Sequence, residues 1–262
     1  MKVQLSCADW VEVLREGIAA NMAEPNPTAR IYQGDDGGGR FFVDYCSWQQ
    51  IPQYRDFIFN SAVAEIAAEL MDSEQVQLFH EHVLVKEAEA GFATPWHHDM
   101  PYYCVDGPKT VSLWIPLDDI PRERTLEFVA GSHQWGKSYR PQRFNGQPLN
   151  ENDGLEEIPD INADRDAFNI VGWELAPGDA VAFDYRALLG APANLSASAQ
   201  RRAFSLRLVD DDVRFSRRKG LVTSPPFNKL NWSMERHLLL MNFRFCIGGT
   251  RPIEQKVRSK PD

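Results

Sequence analysis

Residues 76–85 read VQLFHEHVLV and residues 110–116 read TVSLWIP. The first stretch holds two apolar runs, Val76–Phe79 and His82–Val85; the second is one run, Thr110–Pro116. Further short runs follow at Leu126–Val129, Asp179–Phe183 and Ala203–Val209, punctuated by Gly, Pro and Asp. Short runs rich in Val, Leu, Ile and Phe between turn formers are strands. No helix of crossover length separates them, so the pattern predicts a mostly β chain, an antiparallel barrel or sandwich. Residues 140–168, rich in Asn, Asp, Glu and Pro, form a long excursion between two strands. Excursions of that length inside a compact domain are usually functional or disordered.

Upstream, the texture is helical. Residues 8–22, ADWVEVLREGIAANM, put Trp10, Val11, Leu14 and Ile18 on one helical face. Pro25 and Pro27 stop that helix. Gly37-Gly38-Gly39 reads as a turn before Phe41, Phe42 and Val43. Residues 60–71, NSAVAEIAAELM, predict a second amphipathic helix with Asn60 or Ser61 as N-cap.

The chain has 262 residues, 43% apolar and 25% charged. That excludes a disordered, collagen-like or coiled-coil chain and is long enough to bury a core. Lys plus Arg number 28 against 37 Asp plus Glu, a formal charge of −9. Non-specific nucleic-acid binding draws on cations, so no nucleic-acid partner is expected. The charge is uneven: residues 214–262 carry +8 and residues 1–213 carry −17. Without repeats or a Ser/Gly linker, residues 1–229 read as one domain and residues 230–262 as a basic C-terminal tail. Cys7, Cys46, Cys104 and Cys246 make no C-x-x-C pair, which argues against a zinc knuckle and for a reducing compartment. The N-terminus lacks a long apolar region, and the longest apolar cluster, Leu238–Met241, is too short to span a bilayer. A cytoplasmic protein without a membrane partner is expected; the oligomeric state is not set by the sequence.

Chemistry enters at residues 94–99, TPWHHD. In an extended chain His97 and Asp99 point to the same side. Such an H-x-D pair supplies two of the three donors of a 2-His-1-carboxylate site for non-haem Fe(II). Alone, H-x-D is common, and a turn with a solvated aspartate and partly buried histidines is then the better reading. Downstream stand Pro177-Gly178-Asp179, then Gly190–Ser196, then Arg201-Arg202. A guanidinium there can grip a carboxylate bidentately, although any one arginine also fits a solvated position on a strand.

Taken in order, these pieces resemble the phytanoyl-CoA dioxygenase family of Fe(II)/2-oxoglutarate-dependent oxygenases. They are HVLVKE (82–87), TPWHHDMPYY (94–103), VSLWIPL (111–117), LEFVAGSH (126–133), PGD (177–179), GAPANLS (190–196) and the strand Arg201–Arg207. The resemblance covers roughly residues 8–227. It implies a double-stranded β-helix, the cupin-like jelly roll, with N-terminal helices packed outside. It implies His97 and Asp99 as catalytic iron ligands. It places 2-oxoglutarate on Arg201, with Arg202 as the neighbouring alternative, and adds contacts from Lys86 and Trp114. His98, Tyr102 and Tyr103 are expected to face a small-molecule substrate, with residues 140–168 and 102–109 shaping the pocket mouth. The implied reaction hydroxylates an aliphatic C–H and releases succinate and CO2.

One position departs from the family pattern. The residue just before G-A-P-x-N is the second iron-binding histidine in the family, and here it is Leu189. A leucine offers no lone pair. His80 and His82 precede the site on an earlier strand, and His133 sits in a G-S-H turn. Halogenating relatives lose the carboxylate instead, so halogenation is not implied. The alternative reading is a catalytically silent member that binds a small molecule or a partner.

Overall fold

The computed structural model describes residues 1–4, 8–34, 37–144, 146–151, 153–216, 218 and 223–225, with the backbone of 244–246. The chain opens with β1 (Lys2–Gln4) and α1 (Ala8–Ala23), then β2 (Arg30–Tyr32) and β3 (Phe41–Tyr45). Helices α2 (Pro52–Asn60) and α3 (Val63–Met71) lead to the long β4 (Gln75–Lys86). Next come β5 (Thr94–His97), β6 (Val105–Asp106), β7 (Thr110–Pro116) and β8 (Glu127–Val129). Then follow β9 (Ile170–Val171), β10 (Asp179–Phe183), β11 (Leu189–Ala191), β12 (Arg201–Asp210), β13 (Arg214–Phe215) and β14 (Arg244–Cys246).

Two antiparallel sheets make the jelly roll. The large one runs β1-β10-β7-β12-β4-β3-β2, with β14 beside β4; the small one runs β5-β11-β8-β9. The two apolar runs of residues 76–85 are a single strand, because His80 and Glu81 are themselves buried. Every residue of β7 is buried, since both faces of the large sheet are covered. Helices cover one face: Val11, Leu14, Ile18, Tyr54, Phe57 and Ile58 pack with Val83, Val85, Leu113, Ile115, Phe204 and Leu206. The small sheet covers the other: Trp114, Phe183 and Ala203 pack with Leu126, Phe128 and Leu189. Period-two alternation divides each central strand between these layers.

The expected helix over 60–71 is α3, which starts at Val63, and Asn60 instead ends a separate helix, α2. Pro52 starts α2, where a missing N–H costs nothing. Ser61 is extended and ends it, and Ala62, not Asn60 or Ser61, precedes α3 without a side-chain cap. Helices α1 and α2 approach so closely that a Cβ on Gly17 would lie 2.7 Å from the Tyr54 ring. Buried Asp44 ties this layer to the sheet by accepting from Asn21 Nδ2 at 2.7 Å and from the Asn26 amide at 3.0 Å. Cys46 and Cys104 are free thiols, whereas the side chains of Cys7 and Cys246 lie outside the described residues. Residues 230–262 also lie outside them, apart from the backbone of β14. No helix among the described residues is long and apolar enough to cross a membrane.

Glu81 faces the helix layer, and its Oε1 accepts the amides of Ser47 and Trp48. Burial pushes its carboxyl up to about 8 from an ordinary 4.5, against the pull of those amides. The native state therefore keeps a proton that the unfolded state releases above about pH 4.5, so this group lowers stability as pH rises toward 8. Glu81→Gln removes that loss. In urea titrations the stability of the variant relative to wild type is expected to grow by on the order of 2 kcal/mol between pH 6 and 8. A pH-independent difference would show that Glu81 is ionised in the native state.

Candidate active site

Between the two sheets lies a cavity bordered by His80, His82, Lys86, His97, Asp99 and Leu189, among others. Alternation puts its floor together. His80, His82, Leu84 and Lys86 share one side of β4, and Arg201 and Arg207 share the matching side of β12. Register brings His82 opposite Ser205, and Lys86 opposite Arg201.

His97 closes β5. Its Nδ1 meets the Pro95 carbonyl at 2.8 Å. A carbonyl can only accept, so Nδ1 carries the proton and Nε2 the lone pair. That Nε2 faces Asp99 Oδ1 at 3.7 Å. Asp99 Oδ2 lies 3.0 Å from Arg207 Nε and accepts from Ser112 Oγ at 3.1 Å. Burial opposes the charge on Asp99, yet Arg207 and then His97 hold its carboxyl below the usual range. Arg207 also donates to Tyr103 Oη at 2.8 Å and to Ser205 Oγ.

Leu189 pairs in register with His97 and is buried at the cavity wall. The tertiary structure thus puts a methyl-bearing side chain where a third donor would complete the triad. His80 and His82 border the cavity too, and the Nε2 of each has no hydrogen-bond partner among the described residues. Burial, then Arg207, pushes His80 down to about 3 and lowers His82 as well, so both are neutral. Neither repairs the triad. Among the described residues, the carboxylates of Asp210, Asp211 and Asp212 are the group of three donors converging within 4.8 Å. Iron therefore fits two donors of this site, His97 Nε2 and Asp99 Oδ1, and lacks the third.

At the other end stand Lys86 and Arg201. Lys86 Nζ donates to Thr94 Oγ1 at 3.2 Å and to the Pro192 carbonyl at 3.1 Å, and lies 4.8 Å over the Phe41 ring. Arg201 donates to the Arg124 carbonyl. Neither has a carboxylate partner among the described residues. Burial, then Arg201, pushes Lys86 down to about 6; burial, then Arg124, lowers Arg201 to about 10. Two buried basic side chains side by side are costly to charge together unless a ligand supplies an anion. Arg202 points elsewhere and pairs with Asp118, Nε to Oδ2 at 3.1 Å, so Arg201 is the cavity arginine. Trp114 forms part of the wall.

The expected substrate-facing residues divide. Tyr102 and Tyr103 border the cavity. His98 does not: its Nε2 accepts the Tyr139 amide at 2.9 Å, which makes it a support for the 139 segment. Residues 140–168 do reach the mouth, through Gln142, Arg143, Phe144 and Leu149. Sequence reasoning missed His80, His82 and Arg207 as cavity residues. The signal was parity: each is an even number of residues from Lys86 or Arg201 on the same strand.

The sequence matches the family described as phytanoyl-CoA dioxygenase (PhyH) over residues 7–203. No curated protein matches it. Among solved structures, it is similar to the non-heme alpha ketoglutarate dependent carbocyclase SnoK from nogalamycin biosynthesis. The TM-score is 0.65 at 21% identity, covering 82% of this chain and 81% of that one. The epimerase SnoN in complex with Fe3+, alpha ketoglutarate and nogalamycin RO gives 0.65 at 21% identity, covering 82% and 80%. EctD from S. alaskensis in its apoform gives 0.66 at 18% identity, covering 85% and 76%.

Proposed function

The chain belongs to the phytanoyl-CoA dioxygenase family, and from that premise we propose that it binds 2-oxoglutarate on Lys86 and Arg201 and hydroxylates an aliphatic C–H of a small molecule. The observation that carries this reading is the pair of buried basic side chains, Lys86 and Arg201, which sit opposite each other at the cavity without a carboxylate partner among the described residues. Arg201 takes the distal carboxylate of 2-oxoglutarate by its fork of N–H donors. Lys86 adds charge, and Trp114 walls the chain of the co-substrate. His97 and Asp99 would hold Fe(II), with Arg207 and Ser112 orienting the carboxylate. Iron held there would supply the O2 chemistry by which substrate, O2 and 2-oxoglutarate become hydroxylated product, succinate and CO2. The protein's part is to position the reactants and exclude water.

Calorimetric titration with 2-oxoglutarate tests the cation pair directly. Arg201→Met is expected to weaken binding roughly 10–100-fold, the loss of charge-assisted hydrogen bonds. Because burial holds Lys86 near 6 in the free cavity, an incoming anion raises its pKa and draws in a proton. Affinity therefore falls as pH climbs above about 6, and the heat depends on buffer ionisation. Unchanged affinity in Arg201→Met overturns the assignment.

Leu189 favours a second reading, a silent member that binds 2-oxoglutarate or a related acid without turnover. Succinate formation dependent on Fe(II) and 2-oxoglutarate separates the two.

A further inference from the structure

Among the described residues, five basic side chains border the cavity, Arg30, Lys86, Arg143, Arg201 and Arg207, against one carboxylate, Asp99. Arg207 and Asp99 neutralise each other. Lys86 and Arg201 take the distal carboxylate of 2-oxoglutarate on the reading above. Arg30 and Arg143 are left over. Neither makes an ion pair or a side-chain hydrogen bond among the described residues.

Arg143 is held in place by its neighbours. Tyr102 Oη donates to the Gln142 carbonyl at 2.6 Å and accepts the Gln142 amide at 2.7 Å. On the other side, the Phe144 ring packs 4.9 Å from Phe41 and 5.4 Å from Tyr32. The Arg143 amide donates to the Gln147 carbonyl at 2.7 Å, and its own carbonyl accepts from Gly146 at 2.8 Å. Arg30 opens β2, two residues before Tyr32. Exposed Arg30 and half-buried Arg143 thus border the same cavity as the rings of Tyr32 and Phe144, which pack on each other with Phe41 buried behind them.

We propose that Arg30 and Arg143 receive the oxyanion of an acidic substrate whose apolar body lies on Tyr32 and Phe144. The shared chemistry is a carboxylate or a phosphate ester, both of which suit a guanidinium fork. The inference names the substrate class for the site read above and rests on that reading for the role of Lys86 and Arg201. Preorganisation of residues 142–144 lowers the entropy lost on binding.

The test uses phenylacetate, phenyl phosphate and neutral phenylacetamide, titrated into the full chain with and without saturating 2-oxoglutarate. One or both acids are expected to bind at least tenfold more tightly than the amide, and the tighter one identifies the oxyanion. Arg30→Gln and Arg143→Gln are each expected to weaken that acid roughly tenfold, while 2-oxoglutarate affinity moves less than twofold. Circular dichroism checks that both variants fold. Equal binding of acid and amide, or variants that leave acid affinity unchanged, overturns the proposal. Loss of 2-oxoglutarate binding alone, with acid binding intact and arginine-dependent, overturns the co-substrate reading and leaves the oxyanion site standing.

Discussion

Asp99→Ala is expected to cost about 3–5 kcal/mol of folding stability. Asp99 and Arg207 are 4% and 5% exposed, and their atoms meet at 3.0 Å. Truncating the carboxylate leaves a buried guanidinium with Tyr103 Oη and Ser205 Oγ as its side-chain partners among the described residues. An uncompensated buried charge is the expensive outcome, more than the lost contact itself. Asp99→Asn keeps an acceptor but not the charge and should fall between. Replacing both partners with apolar residues, Asp99→Leu with Arg207→Met, should recover much of the loss, because no buried charge then remains. Urea denaturation at pH 7 measures all of these. A single-variant cost below about 1 kcal/mol would mean that Arg207 finds water or another partner in solution. The same carboxylate thus has two tasks: it neutralises Arg207 through Oδ2 and offers Oδ1 beside His97.

Leu189→His is expected to raise affinity for a divalent metal by about 100-fold or more, judging from the 10–100-fold effects of even outer partners. The basis is register, since position 189 lies opposite His97 across the β5–β11 pair. An imidazole there joins His97 Nε2 and Asp99 Oδ1 as a third donor of the type that suits Fe(II). Without metal, the buried imidazole should destabilise the chain by about 1–3 kcal/mol. Metal at about 100 times its dissociation constant should return about 2.7 kcal/mol. Co(II) spectra report the donors, and thermal unfolding with and without metal reports the linkage. If a folded Leu189→His binds metal no better than wild type, residue 189 does not face the His97–Asp99 pair.

Much of the site was readable before folding was considered. TPWHHD and the Arg201-Arg202 pair stand out in the sequence itself, whereas Lys86, Trp114 and the departure at Leu189 are pointed to by the family resemblance. Tyr102 and Tyr103 do border the cavity, whereas His98 serves the Tyr139 segment because alternation turns it away from its two neighbours. Arg207 was ambiguous because a strand arginine looks the same whether it faces water or an aspartate. His80 and His82 looked remote because they precede the H-x-D motif in sequence, although strand pairing puts them on the cavity floor.

Local spacing was sufficient for features that depend on near neighbours. His97 and Asp99 converge because alternate residues of an extended chain share a side. The strand over 110–116 could be drawn from its apolar residues, since burial of both faces leaves a nearly continuous apolar run. Which face each polar side chain meets was decided only by tertiary structure. Helices cover one side of the large sheet and the small sheet the other. Pairing across distant segments sets Leu189 against His97, Asp99 against Arg207, and Tyr102 under the loop that presents Arg143. A period-two pattern leaves such pairings open, because sheet register and loop closure are settled by packing the whole core at once.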